Sequence, residues 1–457
     1  MKRLFLISIS LLLISCSFDN KTGIWKDASD ISLEKKEVKD LKNNKIKKKY
    51  EDIFIKEKIF NREVESSNIN SLNIVSSTKL ENWTQQYGDV TNNISNFSYN
   101  GNTTVVSTSS KLSKTLSFKN YSTSNTLFYK NNLISHDHKG TIFIYSLNKK
   151  KKIFEYNFYK KKFKNFKKKI FLIINDNILY AADNLGYLYA INLEYKSLEW
   201  AKNYGIPFRS NLKFSKDSIF LANQDNVIYA VYKKNGEKNW QFATTPTFLK
   251  SDFKNNFAVD KINHNLFFLN TSGELYSINY LNQNINWVVN FKDRSMTGDM
   301  DLFLSFPIII KKNNLIISTE RSILSYDSIS ANKIWSFIIK PILKPVVTKN
   351  HTYAITANNL LICIDNITGK ITWSKNIYNE LSKMKIKKKI EKFNDLKIVN
   401  KKINLYSQNG YLLSFNSKTG NLASFNQISK KGISSEIFFI KNQMFLIDNK
   451  NRLISLN

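Results

Sequence analysis

The sequence predicts an all-β protein: an eight-bladed β-propeller of four-stranded antiparallel blades, closed by an N-terminal strand. Three observations lead there. A unit of about 45 residues recurs along the chain. Each unit carries short alternating strands separated by polar turns. The chain also stops before completing its last unit, and a matching piece lies near its beginning.

The repeat is clearest at NLLICIDNITGKITW, Asn359 to Trp373. An apolar strand leads into an Asp-containing polar turn, and a Trp sits fourteen residues after the first position. The same spacing separates Gly186 from Trp200, Asn226 from Trp240, Gly273 from Trp287 and Arg321 from Trp335. Gly140 to Phe154 fits with Phe in place of Trp, and Gly410 to Ser424 fits with Ser there. Successive unit ends lie 46, 40, 47, 48, 38 and 51 residues apart. Alternation puts one row of side chains between neighbouring blades. A large flat side chain on the outer strand buries much area in that gap. The blade aromatics Phe154, Trp200, Trp240, Trp287, Trp335 and Trp373 are therefore expected to be structural.

The C-terminal stretch NQMFLIDNKNRLISLN matches a unit through its third strand and then ends. Its missing fourth strand is expected around Trp83, in TKLENWTQQYG. Such a strand leaves no free sheet edge at the point of closure. Seven units plus this shared one make eight blades over residues 71–457.

The first residues carry an address. Lys2 and Arg3 precede the apolar run Leu4 to Ile14, followed by Ser15 and Cys16. A charged start, a short apolar core and a small residue before the cut describe a secretory signal peptide over 1–15. The run is too short for a membrane span. Leu13-Ile14-Ser15-Cys16 resembles the lipobox of bacterial lipoproteins, which implies a lipidated Cys16; its Ser17 is the residue that favours outer-membrane sorting. Residues 16–70 are polar and charged without repeats, and read as a tether. Cys363 is the one other cysteine, set in an apolar run, so no internal disulfide forms once Cys16 is lipidated.

Composition bounds the partners. The formal charge is +33, from 69 Lys and Arg against 36 Asp and Glu. Part of the excess reflects Lys, Asn and Ile, which AT-rich codons favour. It suits either a solvated exterior or an anionic surface. The insertions YKKKFKNFKKK and KMKIKKKIEKF fall between blades. Export argues against a nucleic-acid partner for these basic, aromatic stretches.

No chemistry emerges from the motifs. Two histidines in His136-Asp137-His138 are too few for a structural zinc site and align with a turn. There is neither a G-x-S-x-G nucleophile pattern nor a phosphate loop. Cys363, Asp365, Thr368, Gly369 and Trp373 resemble the Ala-x-Asp-x-x-Thr-Gly-x-x-x-Trp repeat of the quinoprotein (pyrroloquinoline quinone) propeller superfamily, with Cys for Ala. Catalytic members of that superfamily pair adjacent cysteines and hold calcium. This chain has no cysteine pair of that kind and no acidic cluster at calcium-ligand spacing. The expectation is no enzyme, no cofactor and no metal.

A lipoprotein signal, a tether and such a propeller together resemble the BamB family of outer-membrane barrel assembly factors. The resemblance implies a periplasmic propeller, lipid-anchored to the outer membrane. It would dock on the POTRA region of a BamA-like protein and present loops or a strand edge to unfolded outer-membrane precursors. In NYGIPFRSNLKF, Ile206, Phe208 and Arg209 fill the family's partner-gripping positions. Two apolar groups beside an arginine form a common hot-spot composition. The alternative is that Phe208 packs beneath its own loop. Asp299 and Asp301, in TGDMDLFLSFPIII, stand near the family's second contact; the alternative there is turn-forming, solvated Asp. A quinone-dependent dehydrogenase and a propeller with another envelope partner are the competing readings.

Overall fold

A computed structural model describes residues 16–18, 25–27, 59–66, 72, 74–114, 116, 126–159, 163–250, 255–292, 302–383, 390 and 392–457. The signal peptide, most of the proposed tether, Asp299 and Asp301 lie outside them. Two compact units separate, Met1–Glu57 and Lys58–Asn457. The first contributes one antiparallel pair, Cys16–Phe18 with Trp25–Asp27.

The second unit is the propeller. Eight four-stranded antiparallel sheets make up the ring; seven are meanders, and the eighth joins a C-terminal three-stranded meander to an N-terminal strand. Blades 1 to 7 span 127–157, 170–203, 213–243, 256–290, 309–338, 346–376 and 393–427. Blade 8 takes Phe438–Ile440, Gln443–Ile447 and Arg452–Leu456 from the C-terminus. Its outer strand is Val105–Lys111, paired with Arg452–Leu456. The ring is therefore closed by an N-terminal strand, but the strand is not the one around Trp83. Val105–Lys111 reads VVSTSSK and has no aromatic, so it lacks the blade signature. Trp83 instead pairs with Phe128 on the innermost strand of blade 1. It is 0% exposed, stacked on Phe97 and edge-on to Phe438.

Trp200, Trp287, Trp335 and Trp373 each reach into the following blade. The third and fourth strands of blades 1 to 7 share a register shift beside the aromatic position. Trp200 faces Ala190, Trp240 faces Ala230 and Trp373 faces Cys363. A small residue opposite gives the indole room, so Cys363 is a buried substitute for Ala. The ring then enters the next blade. Trp200 Nε1 donates to Lys233 O, Trp335 Nε1 to Asn366 O and Trp373 Nε1 to Ser417 O. A Cβ at Gly369 would stand 2.4 Å from Trp335 Cβ, and the backbone there has φ +68°. The Thr-Gly turn is thus the receiving half of the indole wedge. Asp365 Oδ1 completes that turn by accepting from Ile367 N, Thr368 N and Thr368 Oγ1.

Residues 59–66 do not hang free of the propeller. Phe60 N donates to Ile338 O, and Val64 exchanges both main-chain bonds with Ser374. The outer strand of blade 6, Ile371–Asn376, is consequently buried where the outer strand of blade 4, Ile285–Asn290, lies open.

In a meander, successive turns alternate between the two ends of the sheet. The turns joining strands one to two and three to four therefore share one face, the hairpin face. The two-to-three turns and the links between blades share the other, the connection face.

Candidate functional site

The innermost strand of every blade has an edge of main-chain donors and acceptors facing the central channel, and such groups need partners. Residues 78–98 supply them. Leu80 O accepts from Lys441 N of blade 8, and Trp83 exchanges two bonds with Phe128 of blade 1. Thr84 O accepts from Ile174 N of blade 2. Asp89 O accepts from Lys213 Nζ of blade 3. Val90 O and Thr91 O accept from Val259 N of blade 4 and Ile310 N of blade 5. Asn93 brackets Val347 of blade 6, and Phe97 N donates to Ile398 O of blade 7. Sequence order follows blade order through one full circuit. Thr78 then bonds with Asn96 and Ser98, so the circuit closes on itself. This segment forms a belt inside the channel.

Charges gather against the belt. Lys397 Nζ lies 3.3 Å from Asp395 and 3.5 Å from Glu436. Burial opposes its charge, but the two carboxylates outweigh that and raise its pKa. Burial pushes Glu436 up to about 7. Lys213 is wholly buried and is pushed down to about 7 by desolvation, with Asp89 opposing. Lys344 donates to Asn92 O and is lowered to about 8, by burial first and then by Lys397. Sequence reading missed this group because its members come from four separate segments.

The candidate contact loop lies on the connection face, between blades 2 and 3. Its residues divide. Phe208 is 0% exposed, with Tyr204 and Tyr229 rings around it. Its backbone bridges Asn223. It packs beneath its own loop, so it is no surface anchor. The loop's backbone is fixed on both sides, which positions Arg209: Arg209 N donates to Ala222 O, and Arg209 O accepts from Asn255 N. Ile206 and Arg209 are half-buried. Arg209 opens into a cleft with Gln224, Thr247, Leu249, Asn255, Thr271 and Leu302. Beside Leu249, Phe248 is 79% exposed. An ion pair of 2.7 Å between Lys250 and Asp225 ties this second loop across the cleft. The arrangement offers an arginine beside exposed apolar side chains, but the apolar part comes from the following loop. Leu302 directly follows Asp301 in sequence.

The remaining candidates are structural. Asp137 Oδ1 accepts from Lys139 N and Thr141 N, closing a turn. His136 is buried, and that burial lowers its pKa to about 4. Among the described residues, no three His, Cys, Asp or Glu side chains converge as metal ligands. No helix among them is long and apolar enough to cross a membrane.

Residues 160–375 match the family model described as outer membrane protein assembly factor BamB. Compared with curated proteins by sequence, the chain has no match. Among solved structures it is similar to BamB from Moraxella catarrhalis, with a TM-score of 0.59 at 13% identity, over 77% of this chain and 98% of that one. Quinohemoprotein alcohol dehydrogenase from Comamonas testosteroni gives a TM-score of 0.58 at 7% identity, over 86% of this chain and 82% of that one. The computationally designed protein Ika8 gives 0.51 at 10% identity, over 72% and 94%. At these identities the likenesses show the fold.

Proposed function

We infer, for a chain whose residues 160–375 match the BamB family model, membership of that family and a non-catalytic scaffold role in outer-membrane barrel assembly. The protein is anchored through a lipidated Cys16, with its propeller in the periplasm. It docks on the POTRA region of a BamA-like protein and helps to orient unfolded barrel precursors. The observation that carries this reading is that the whole cleft framed by Arg209 and Leu249 lies within the stretch matching the family. Arg209 supplies a planar multi-donor charge, and Phe248 and Leu249 supply desolvated contact. Asp299 and Asp301, just before Leu302, are proposed to extend the same contact.

The belt weighs against the dehydrogenase reading. A quinone at the centre would have to share the channel with residues 78–98, whose bonds already occupy the inner strands of all eight blades. Quinone absorbance in the purified protein would reverse that judgement.

The test is binding of residues 58–457 to the POTRA region of the same organism's BamA. Arg209→Glu runs alongside, with circular dichroism as the folding control. Binding at roughly tens of micromolar or tighter, abolished by the substitution, is expected. Absence of binding by the unaltered protein would overturn the scaffold reading and leave another envelope partner.

A further inference from the structure

The hairpin face carries a pattern that the contact with BamA does not use. In five of the eight turns joining first to second strands, a lysine has positive φ: Lys130, Lys216, Lys312, Lys401 and Lys441. Lys261 and Lys349 occupy the corresponding turns of blades 4 and 6. Two of these turns carry an acidic residue, Asp176 in blade 2 and Asp217 beside Lys216 in blade 3. All seven lysines are exposed, and among the described residues none is ion-paired. Because the first strand is the innermost, these turns surround the channel mouth.

Asn shares these turns, with positive φ at Asn131, Asn177, Asn400 and Asn442, and the lysines supply their charge. Positive φ is disfavoured for lysine, whereas Asn adopts it readily. Further out on the same face stand apolar tips. Leu281, Ile329 and Ile367 occupy one register position, six residues before the Trp of blades 4, 5 and 6, and all are exposed. Ile262, at the neighbouring turn of blade 4, is 88% exposed.

We propose that the hairpin face docks on an anionic phospholipid bilayer, with the lysine ring against the headgroups and the apolar tips of blades 4 to 6 entering the interface. Turn apices of a propeller stand at similar heights, so a flat partner meets them together. An acidic protein would need a matching relief. Lysines near an anionic surface are attracted individually, and protruding apolar side chains gain by leaving water. The chain between Cys16 and the docked segment at 59–66 reaches at most about 155 Å when fully extended. That length allows either face to approach the membrane that holds the anchor. The proposed POTRA contact lies on the opposite face, so the two contacts do not compete.

The unit Lys58–Asn457 contains all eight blades, the belt and the closing strand, so vesicle binding can be measured without acyl chains. Co-sedimentation would compare equimolar phosphatidylglycerol–phosphatidylcholine vesicles with phosphatidylcholine alone. Salt-sensitive binding to the anionic vesicles only is expected. Exchanging Lys130, Lys216, Lys312, Lys401 and Lys441 for Gln should weaken it at least about tenfold. Ile262→Ser with Ile367→Ser should weaken it severalfold, with unchanged circular dichroism. Lys430→Gln with Lys431→Gln, exposed on the connection face, should leave it intact. Failure to bind anionic vesicles, or equal losses from substitutions on both faces, would overturn the proposal. Binding to the POTRA region is a separate readout, so loss of one contact does not imply loss of the other.

Discussion

Asn93→Ala tests whether the belt is part of the fold's stability. Asn93 Nδ2 donates to Val347 O at 2.8 Å, and Asn93 Oδ1 accepts from Val347 N at 3.0 Å. Both residues are buried. Truncation removes two bonds, each contributing about 1 kcal/mol net. Ser95 Oγ also donates to Val347 O, so that acceptor keeps a partner. The Val347 N–H keeps none, and an orphaned buried donor costs about 1–3 kcal/mol. The expected loss is therefore about 2–4 kcal/mol, large beside the usual stability of a domain. Equilibrium urea denaturation of residues 58–457 measures it, and hydrogen exchange at Val347 locates it. Asn148→Ala, in an exposed turn of blade 1, is the control and should stay within about 0.5 kcal/mol. A loss below about 1 kcal/mol, with Val347 still protected, would refute the idea that the belt satisfies the inner strand edges.

Trp83→Ala should destabilise by about 3–5 kcal/mol, as a fully enclosed indole, and by clearly more than Trp287→Ala at a half-buried wedge; thermal melts compare the two. Phe208→Ala should lower stability by a similar amount, whereas Phe248→Ala should leave stability within about 0.5 kcal/mol and weaken POTRA binding by about tenfold. Equal binding by the Phe248 variant would remove that residue from the contact. Lys213 has a folded pKa depressed to about 7, so its stabilising contribution is full above its unfolded pKa, near 10.5, and is lost as pH falls through about 7. Glu436 is raised to about 7, so its contribution is full below about 4.5 and is lost as pH rises through 7. Together they put the weakest point of the channel charges near neutrality. Lys213→Met should therefore flatten the rise in stability between pH 7 and 10, measured by urea titration at each pH; an unchanged slope would exclude Lys213 as its source.

The sequence alone determined the repeat, the blade count, the need for an N-terminal closing strand and the indole wedges. These rest on local spacing: in five of seven units a Trp stands fourteen residues after the first position, behind an alternating apolar strand and a polar turn. Tertiary structure decided what depends on contacts between distant segments. The closing strand has no aromatic, and nothing in its composition separates it from a polar loop until Arg452–Leu456 lies beside it. Trp83 carries the blade signature in isolation, yet it belongs to the belt, because an aromatic buries more area against Phe97, Phe438 and blade 1 than on an outer edge. Likewise, Phe208 and Arg209 are neighbours in sequence with opposite fates. Main-chain bonds to the next blade turn one ring inward, and the apolar surface beside Arg209 comes from a loop some forty residues further on.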